Sequence, residues 1–192
     1  IQGNVMFDFF KPSNPGIETF YNLNNINGSF IDGRLYYLDA FENRRYGLEF
    51  SRDFYSYQTR WAGGIKGYKT QTSTNIVKED TTLNQVALDF INYDLWLGYA
   101  FPLKSSNDLF KNRQRLVFSA RYKNYRFLEG PFITRRYHYQ FHDNQMFLGK
   151  LSLSRENYYK SALIYGYGRT EDIPIGDLVE YTFGWEMDEF FR

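Results

Sequence analysis

Apolar and polar residues alternate with a period of two along most of this chain, and no other feature restricts its fold as much. Successive side chains of a β-strand point to opposite faces, so such a run makes a strand with one apolar and one polar face. In 45–52, Tyr46, Leu48 and Phe50 oppose Arg45, Gly47, Glu49 and Ser51. In 60–68, Trp61, Gly63 and Ile65 oppose Arg60, Gly64 and Lys66. In 115–123, Leu116, Phe118, Ala120 and Tyr122 oppose Arg115, Val117, Ser119, Arg121 and Lys123. Near the end, Val179, Tyr181, Phe183 and Trp185 oppose Glu180, Thr182 and Glu186. No stretch carries a helical period.

The pattern predicts strands over 3–10, 29–39, 44–53, 59–70, 84–102, 113–127, 135–154, 161–168 and 177–188. Over 135–154, Tyr137, Tyr139, Phe141, Phe147, Gly149, Leu151 and Leu153 keep one odd phase, which reads as a single unbroken strand. The usual globular strand has about 5–6 residues. Over 84–102 the phase changes: Val86, Leu88 and Phe90 are even, Leu95, Leu97, Tyr99 and Phe101 odd. A bulge or tight turn near 92–94 is the expected cause. Breakers fill the connections at 11–16, 22–28, 71–82, 105–112, 129–131 and 173–176. With no linker and no charge run, 1–192 reads as one domain.

Composition narrows the class. The 192 residues hold 23 Lys and Arg against 22 Asp and Glu, which gives no bulk charge for nucleic acid. There is no Cys, hence no disulfide frame, thiolate metal site or Cys nucleophile. Aromatic residues make 21% of a chain whose mean hydropathy is −0.57, so the polarity is not that of a disordered chain. No apolar run approaches the roughly 18 residues of a transmembrane helix. A transmembrane β-barrel escapes that test, because its lipid-facing and lumen-facing residues average out. The chain opens at Ile1 without initiator Met or signal peptide and reads as a mature chain or a fragment.

Two all-β readings compete: a soluble sandwich with its apolar face inward, and a barrel with its apolar face in lipid. Three features favour the barrel. The apolar faces are rich in Tyr, Phe, Trp and Gly, and so many tyrosine hydroxyls are hard to bury but suit aromatic girdles. The opposite faces mix Arg and Lys with Glu. The glycines at 63, 64, 67, 149, 166 and 168 would leave holes in a compact core but let strands curve.

The stretch 44–56, Arg-Arg-Tyr-Gly-Leu-Glu-Phe-Ser-Arg-Asp-Phe-Tyr-Ser, followed by Thr59-Arg60-Trp61, resembles a hairpin of the BamA-like outer-membrane assembly barrels. The segments 94–99 and 165–174 are similar to parts of the versions found in Bacteroidetes-type bacteria. The residues that carry the likeness are Arg52, Tyr55, Thr59, Arg60, Trp61, Arg169, Glu171, Asp172 and Pro174. The resemblance implies a barrel of up to 16 strands, of which about nine lie here. It also implies a role in inserting or exporting outer-membrane proteins, with those clients and accessory surface lipoproteins as partners. The family's periplasmic helix–strand domains have no counterpart in 1–192, and Gly168-Arg169-Thr170 lacks the glycine of the family's lumen loop. By the same likeness 55–57 lies at the periplasmic end, and 71–82, 129–134 and 169–176 are expected at the external end.

Other constellations carry less. Glu171 and Asp172, with Asp177 and Glu180, read as a solvated turn before Pro174 rather than a calcium site. His138 and His142, four apart on a strand, would lie about 13 Å from each other, too far to share a metal. Arg135 and Arg136 read as a charge pair at a loop end. No Gly-x-Ser-x-Gly elbow, phosphate loop or dinucleotide fingerprint is present. The reading is therefore an antiparallel transmembrane β-barrel of a bacterial outer membrane, or part of one, without enzymatic activity, cofactor or metal. Tyr46, Leu48, Phe50, Leu116, Phe118, Tyr122, Leu151 and Leu153 are expected to face lipid. A passive pore or barrel anchor for another domain, and a soluble carbohydrate-binding β-protein, are the alternatives.

Overall fold

In a computed structural model that describes residues 2–6, 16–56, 58–78, 82–103, 113–134, 138–162 and 170–188, the chain is all-β. Nine strands form one antiparallel sheet in sequence order, each paired with the next. They are β1 (Gln2–Met6), β2 (Gly16–Leu23), β3 (Asp32–Ala40), β4 (Asn43–Arg52), β5 (Trp61–Lys78), β6 (Thr82–Leu103), β7 (Arg113–Glu129), β8 (Asn144–Ala162) and β9 (Thr170–Asp188). Among the described residues the sheet does not close: β1 and β9 have a neighbour on one side only.

Local chemistry sets the connections. Between β2 and β3 the chain turns through a short 3-10 segment, Ile26–Gly28. Asn25, Asn27 and Gly28 there take positive φ, which these residue types tolerate best. The Asn25 side-chain oxygen accepts from Phe30 N at 2.8 Å, and Asp32 accepts from Asn25 N at 2.8 Å. Between β3 and β4 a two-residue turn places Phe41 and Glu42 at φ 50° and 65°, the twist of a type I′ hairpin. Glu42 is held there by Ser73 Oγ at 3.0 Å and Gln85 Nε2 at 2.5 Å.

The sequence expectations meet several corrections. First, β2 was not foreseen, because its eight residues lie between breaker-rich segments. Second, 135–154 is not one strand. Tyr139–Phe141 form a 3-10 turn, β8 begins at Asn144, and Tyr137 lies outside the described residues. Third, the expected 161–168 strand is not separate: Ser161 and Ala162 end β8, and 163–169 lie outside the described residues. The expected turn at 173–176 is instead strand, since β9 pairs with β8 from Thr170 onward. Pro174 fits there because β9 is an edge strand. Pro102, in the interior strand β6, sits beyond Tyr99, the last residue paired with β5, so it breaks no ladder on that side.

The phase change within 84–102 is not a break in β6. Pairing with β5 is unbroken from Trp61–Tyr99 to Lys78–Thr82. The irregularity lies on the β7 side, between Asp89 and Phe90, where Leu128 is the extra residue of a bulge.

Glycines inside the sheet make room for aromatic rings. A methyl group on Gly47 would meet the Gly67 carbonyl oxygen and, at 2.5 Å, the Tyr68 ring. One on Gly64 would meet the Trp96 ring, and one on Gly149 the Phe183 ring. This is the cross-strand packing of a flat ring over a bare backbone. Gly47→Ala is expected to lower stability by about 1–3 kcal/mol through overpacking. Gly130→Ala, whose added carbon meets Leu88 at an ordinary 3.6 Å, leaves stability unchanged. Urea midpoints of the two variants, followed by tryptophan fluorescence, check the contrast.

Candidate functional site: one sheet with two unlike faces

The register carries one parity of side chain across all strands. On one face, Phe50, Ile65, Leu95, Tyr122, Phe147 and Trp185 stand opposite one another from β4 to β9. The next rows of that face are Leu97, Ala120, Gly149 and Phe183, then Trp61, Tyr99, Phe118, Leu151 and Tyr181, then Phe101, Leu116, Leu153 and Val179. Tyr46 and Leu48 of β4 belong to the same face. All eight residues expected to be lipid-facing therefore share it.

These side chains are open: Leu97 is 57% exposed, Phe118 49% and Val179 66%. By contrast, the buried apolar residues among those described are Ala40, Ala62, Ile76, Leu88 and Ala100. A domain normally buries an apolar face under a second layer. Among the described residues there is one layer, and nothing in them covers its apolar face. On β4, β7 and β8 the apolar stretch is bounded at both ends by polar residues of the same face. Arg44 and Arg52 flank it on β4, Gln114 and Asn124 on β7, Gln145 and Arg155 on β8. Along one rim the polar groups pair: Arg44 with Asp39 at 2.9 Å, Lys69 with Asp89 at 3.0 Å, and Gln71 with Asp89 at 3.1 Å.

The other face is a lattice of cross-strand polar contacts. Arg121 donates to Asp94 at 2.7 Å, Arg45 to Thr70 at 3.1 Å, and Arg115 to Ser154 at 3.2 Å. Lys150 and Ser152 both reach Glu180, at 2.5 and 2.9 Å. Tyr36 donates to Glu18 and Tyr68 to Glu49.

At the end where β5 meets β6 the faces exchange character. Ser73, Gln85 and Asp89 make the formerly apolar face polar. Ile76 and Leu88, on the formerly polar face, are buried. Phe90 packs on Phe127 at 5.3 Å between ring centroids, and Phe127 on Phe141 at 6.1 Å. Phe141 belongs to the connection between β7 and β8, which lies against this end of the sheet. That covering explains the change of hydrophobic phase along β6, for which the pattern alone points to a bulge or tight turn near 92–94.

The same connection fastens to β9. Tyr139 stacks on His142, at 4.1 Å between centroids, and donates to Asp188 at 2.5 Å. His142 is buried, with Nε2 at 3.6 Å from Asp188 and 3.9 Å from Glu186. His138 and His142 thus flank a turn rather than sharing a strand face, and no metal-binding cluster occurs among the described residues.

At the opposite end, Phe54 in the connection between β4 and β5 reaches over the polar face. Its ring lies near Gly98 and 5.6 Å from the Arg115 guanidinium. Tyr55 stacks on Phe30 at 4.0 Å with Arg52 over its ring at 5.5 Å, and Thr59 is buried with its hydroxyl near Ser56 Oγ. The Arg60 carbonyl accepts from Ala100 N, and Trp61 opens β5. The residues of the family-like motif around 52–61 therefore form one packed corner. Glu171, Asp172 and Pro174 lie far along the chain in β9, not in a solvated turn, and Arg169 lies outside the described residues. Topology also corrects one end assignment. The connections after β4 and after β8 lie at the same end of the sheet, because four strands separate them. The ends of β8 and β9 that flank 163–169 therefore lie on the same side as 53–56, not on the side of the ends of β5 and β6 that flank 79–81.

Comparison with protein-family models, with characterised proteins and with solved structures finds no match to this chain.

Two predictions follow from the polar contacts. Asp94 is only 12% exposed whereas Arg44 and Asp39 are 53% and 41%. Arg121→Ala strands a largely covered carboxylate and is expected to cost about 1–3 kcal/mol, while Arg44→Ala costs under about 1 kcal/mol. Unfolding midpoints of the two variants measure the difference. The hydrogen bond to Asp188, with burial adding, pushes the Tyr139 phenol up to about 12. Its neutral form is thus the stabilised one, so that contribution is whole below about pH 10 and is lost as pH rises through about 12. A tyrosinate absorbance titration of wild type minus Tyr139→Phe is expected to show a step near pH 12, not near 10.

Proposed function

We propose that these strands are wall strands of a transmembrane β-barrel in a bacterial outer membrane, and that the barrel inserts, assembles or exports other outer-membrane proteins. The observation that carries the membrane reading is the bounded apolar belt. From Gln145 to Arg155, and from Gln114 to Asn124, the polar rims are ten positions apart. At roughly 3.3 Å per residue that is about 33 Å along the strand. A strand tilt of about 40° reduces it to about 25 Å, the height of the apolar band on such barrels. A soluble reading leaves the belt unexplained, since no second sheet covers it among the described residues.

The assembly role is supported by the likeness carried by Arg52, Tyr55, Thr59, Arg60 and Trp61. Its mechanism is non-enzymatic: an incoming strand hydrogen-bonds to the unpaired backbone of an edge strand, and register supplies the order of insertion. The ion-paired polar face favours a second reading, a passive pore or a barrel anchor. Depleting the protein separates them: an assembly factor lowers the abundance of other outer-membrane barrels, a pore or anchor does not.

The membrane reading is tested on adjacent residues of β7. A nitroxide at position 118 is expected to be reached by a lipid-soluble quencher, and one at position 119 by a water-soluble quencher. If neither reaches position 118, the side chain is packed in protein and the reading fails. Phe118→Arg is expected to cost about 2–4 kcal/mol and to impair barrel formation, whereas Ser119→Arg is tolerated. Heat-modifiable migration of the membrane-inserted protein reports both.

A further inference from the structure

On the polar face the register leaves a hollow beside Gly47. Its partners across the ladder are Tyr36 of β3 and Tyr68 of β5. Asn92 and Tyr125 continue the same row on β6 and β7. The Tyr36 and Tyr68 rings meet edge to face, 6.0 Å between centroids. A cavity of about 420 Å³ opens around them, walled also by Arg34, Arg45 and Lys66, and no Asp or Glu among the described residues lines it. That volume is of the order of small-molecule sites.

The three cations are held by neutral groups. Arg34 Nε donates to Asn22 at 2.9 Å, and Arg45 Nε to Thr70 at 3.1 Å. Lys66 Nζ lies 5.2 Å from the centre of the Tyr68 ring. Glu49 stands directly across from both Arg34 and Lys66, a placement in which opposite charges readily pair. Yet neither cation comes within 4.0 Å of Glu49, nor of any other carboxylate among the described residues. Glu49 accepts from the Tyr68 hydroxyl instead, at 3.4 Å, and Glu18 from that of Tyr36 at 3.2 Å. These bonds fix the two rings and occupy the two acids at the margin. Because each arginine is tied through Nε, no acceptor among the described residues takes its terminal amino groups. Those groups form the fork that fits the oxygens of a bound anion.

We infer that this cavity binds a small phosphorylated molecule. A phosphate monoester carries close to two negative charges at neutral pH, which two guanidinium forks and one ammonium group match better than they match a single carboxylate. Even with Glu18 and Glu49 counted, the cluster keeps one positive charge in excess. The flat faces of Tyr36 and Tyr125 receive the organic part of the ligand. The cavity lies on the face opposite the apolar belt, so its occupant is a soluble molecule rather than a lipid headgroup. The inference therefore stands whatever medium the belt meets, and the quencher measurement at position 118 reads that question separately.

The test is calorimetric titration of the purified full chain, folded in detergent, with glucose 6-phosphate, inorganic phosphate, glucose and a hexaglutamate peptide. The expected result is saturable binding of glucose 6-phosphate at one site per chain, weaker binding of inorganic phosphate and none of glucose. Arg34 and Arg45 are exposed, so Arg34→Gln and Arg45→Gln leave the fold intact. Each is expected to weaken binding by about tenfold, the effect of one lost charge-assisted contact. Added salt weakens it as well. Arg115→Gln, on the same face but beside Phe54, leaves it unchanged. Failure of wild type to bind either phosphate compound overturns the inference, as does equal binding of glucose. An equal loss in Arg115→Gln overturns it too, because the attraction is then that of the whole face. Binding of hexaglutamate without binding of the phosphates also overturns it, and marks the cavity as the seat of an acidic protein segment.

Discussion

The backbone ladder carries this structure, because little else can. Three of the five buried apolar residues among those described are alanines, and burial of a few methyl groups contributes little at about 25 cal/mol per Å². Each strand from β2 to β8 is instead fixed by hydrogen bonds to both neighbours. A wall one layer thick has no interior in which to hide an unpaired amide, so register has to be correct along whole strands. The runs of pairing are accordingly long, with 18 consecutive residue pairs between β5 and β6 and one irregularity between β6 and β7.

Given the ladder, side chains divide the remaining work by parity. One parity lines the open face of the sheet with rings and aliphatic chains. The other knits strands together by contacts such as Arg121–Asp94 and Lys150–Glu180. Glycine completes both faces. Where a ring lies flat across a neighbouring strand, as Tyr68 does on Gly47 and Trp96 on Gly64, a side chain beneath it would force the strands apart. The sequence reading took the glycines as sites of curvature. The contacts assign several of them a local role instead, as floors for aromatic rings.

Much of the sheet was legible because alternation is a local signal: the faces of 45–52, 60–68, 115–123 and 179–186 follow from the residues alone. What was not legible depends on distant partners. The aromatic phase of 135–143 imitates a strand, yet Phe141 takes its place from Phe127, and His142 and Tyr139 from Asp188, 46 and 49 positions away. β2 is short and lies among Asn-rich turns, so no pattern distinguished it from a loop until β3 was there to pair with. The motif 52–61 could be recognised as a unit, but that Phe54 crosses to Gly98 and Arg115 is a fact of tertiary structure.

The exchange of character between the two faces near residue 90 has a consequence for how the chain can vary. Along β6, tolerance of charge should run in stripes, and the stripes should change places within one continuous strand. If the open face meets lipid, the odd positions from Ile91 to Leu103 form the intolerant stripe. From Val86 to Phe90 the even ones do, because there the loop rather than the belt is what a charge would disturb. A family of such chains would therefore show no single parity rule for β6. The residue where the rule reverses would trace, in sequence variation alone, the point along β6 at which the sheet's open face gives way to the part covered by its own loop.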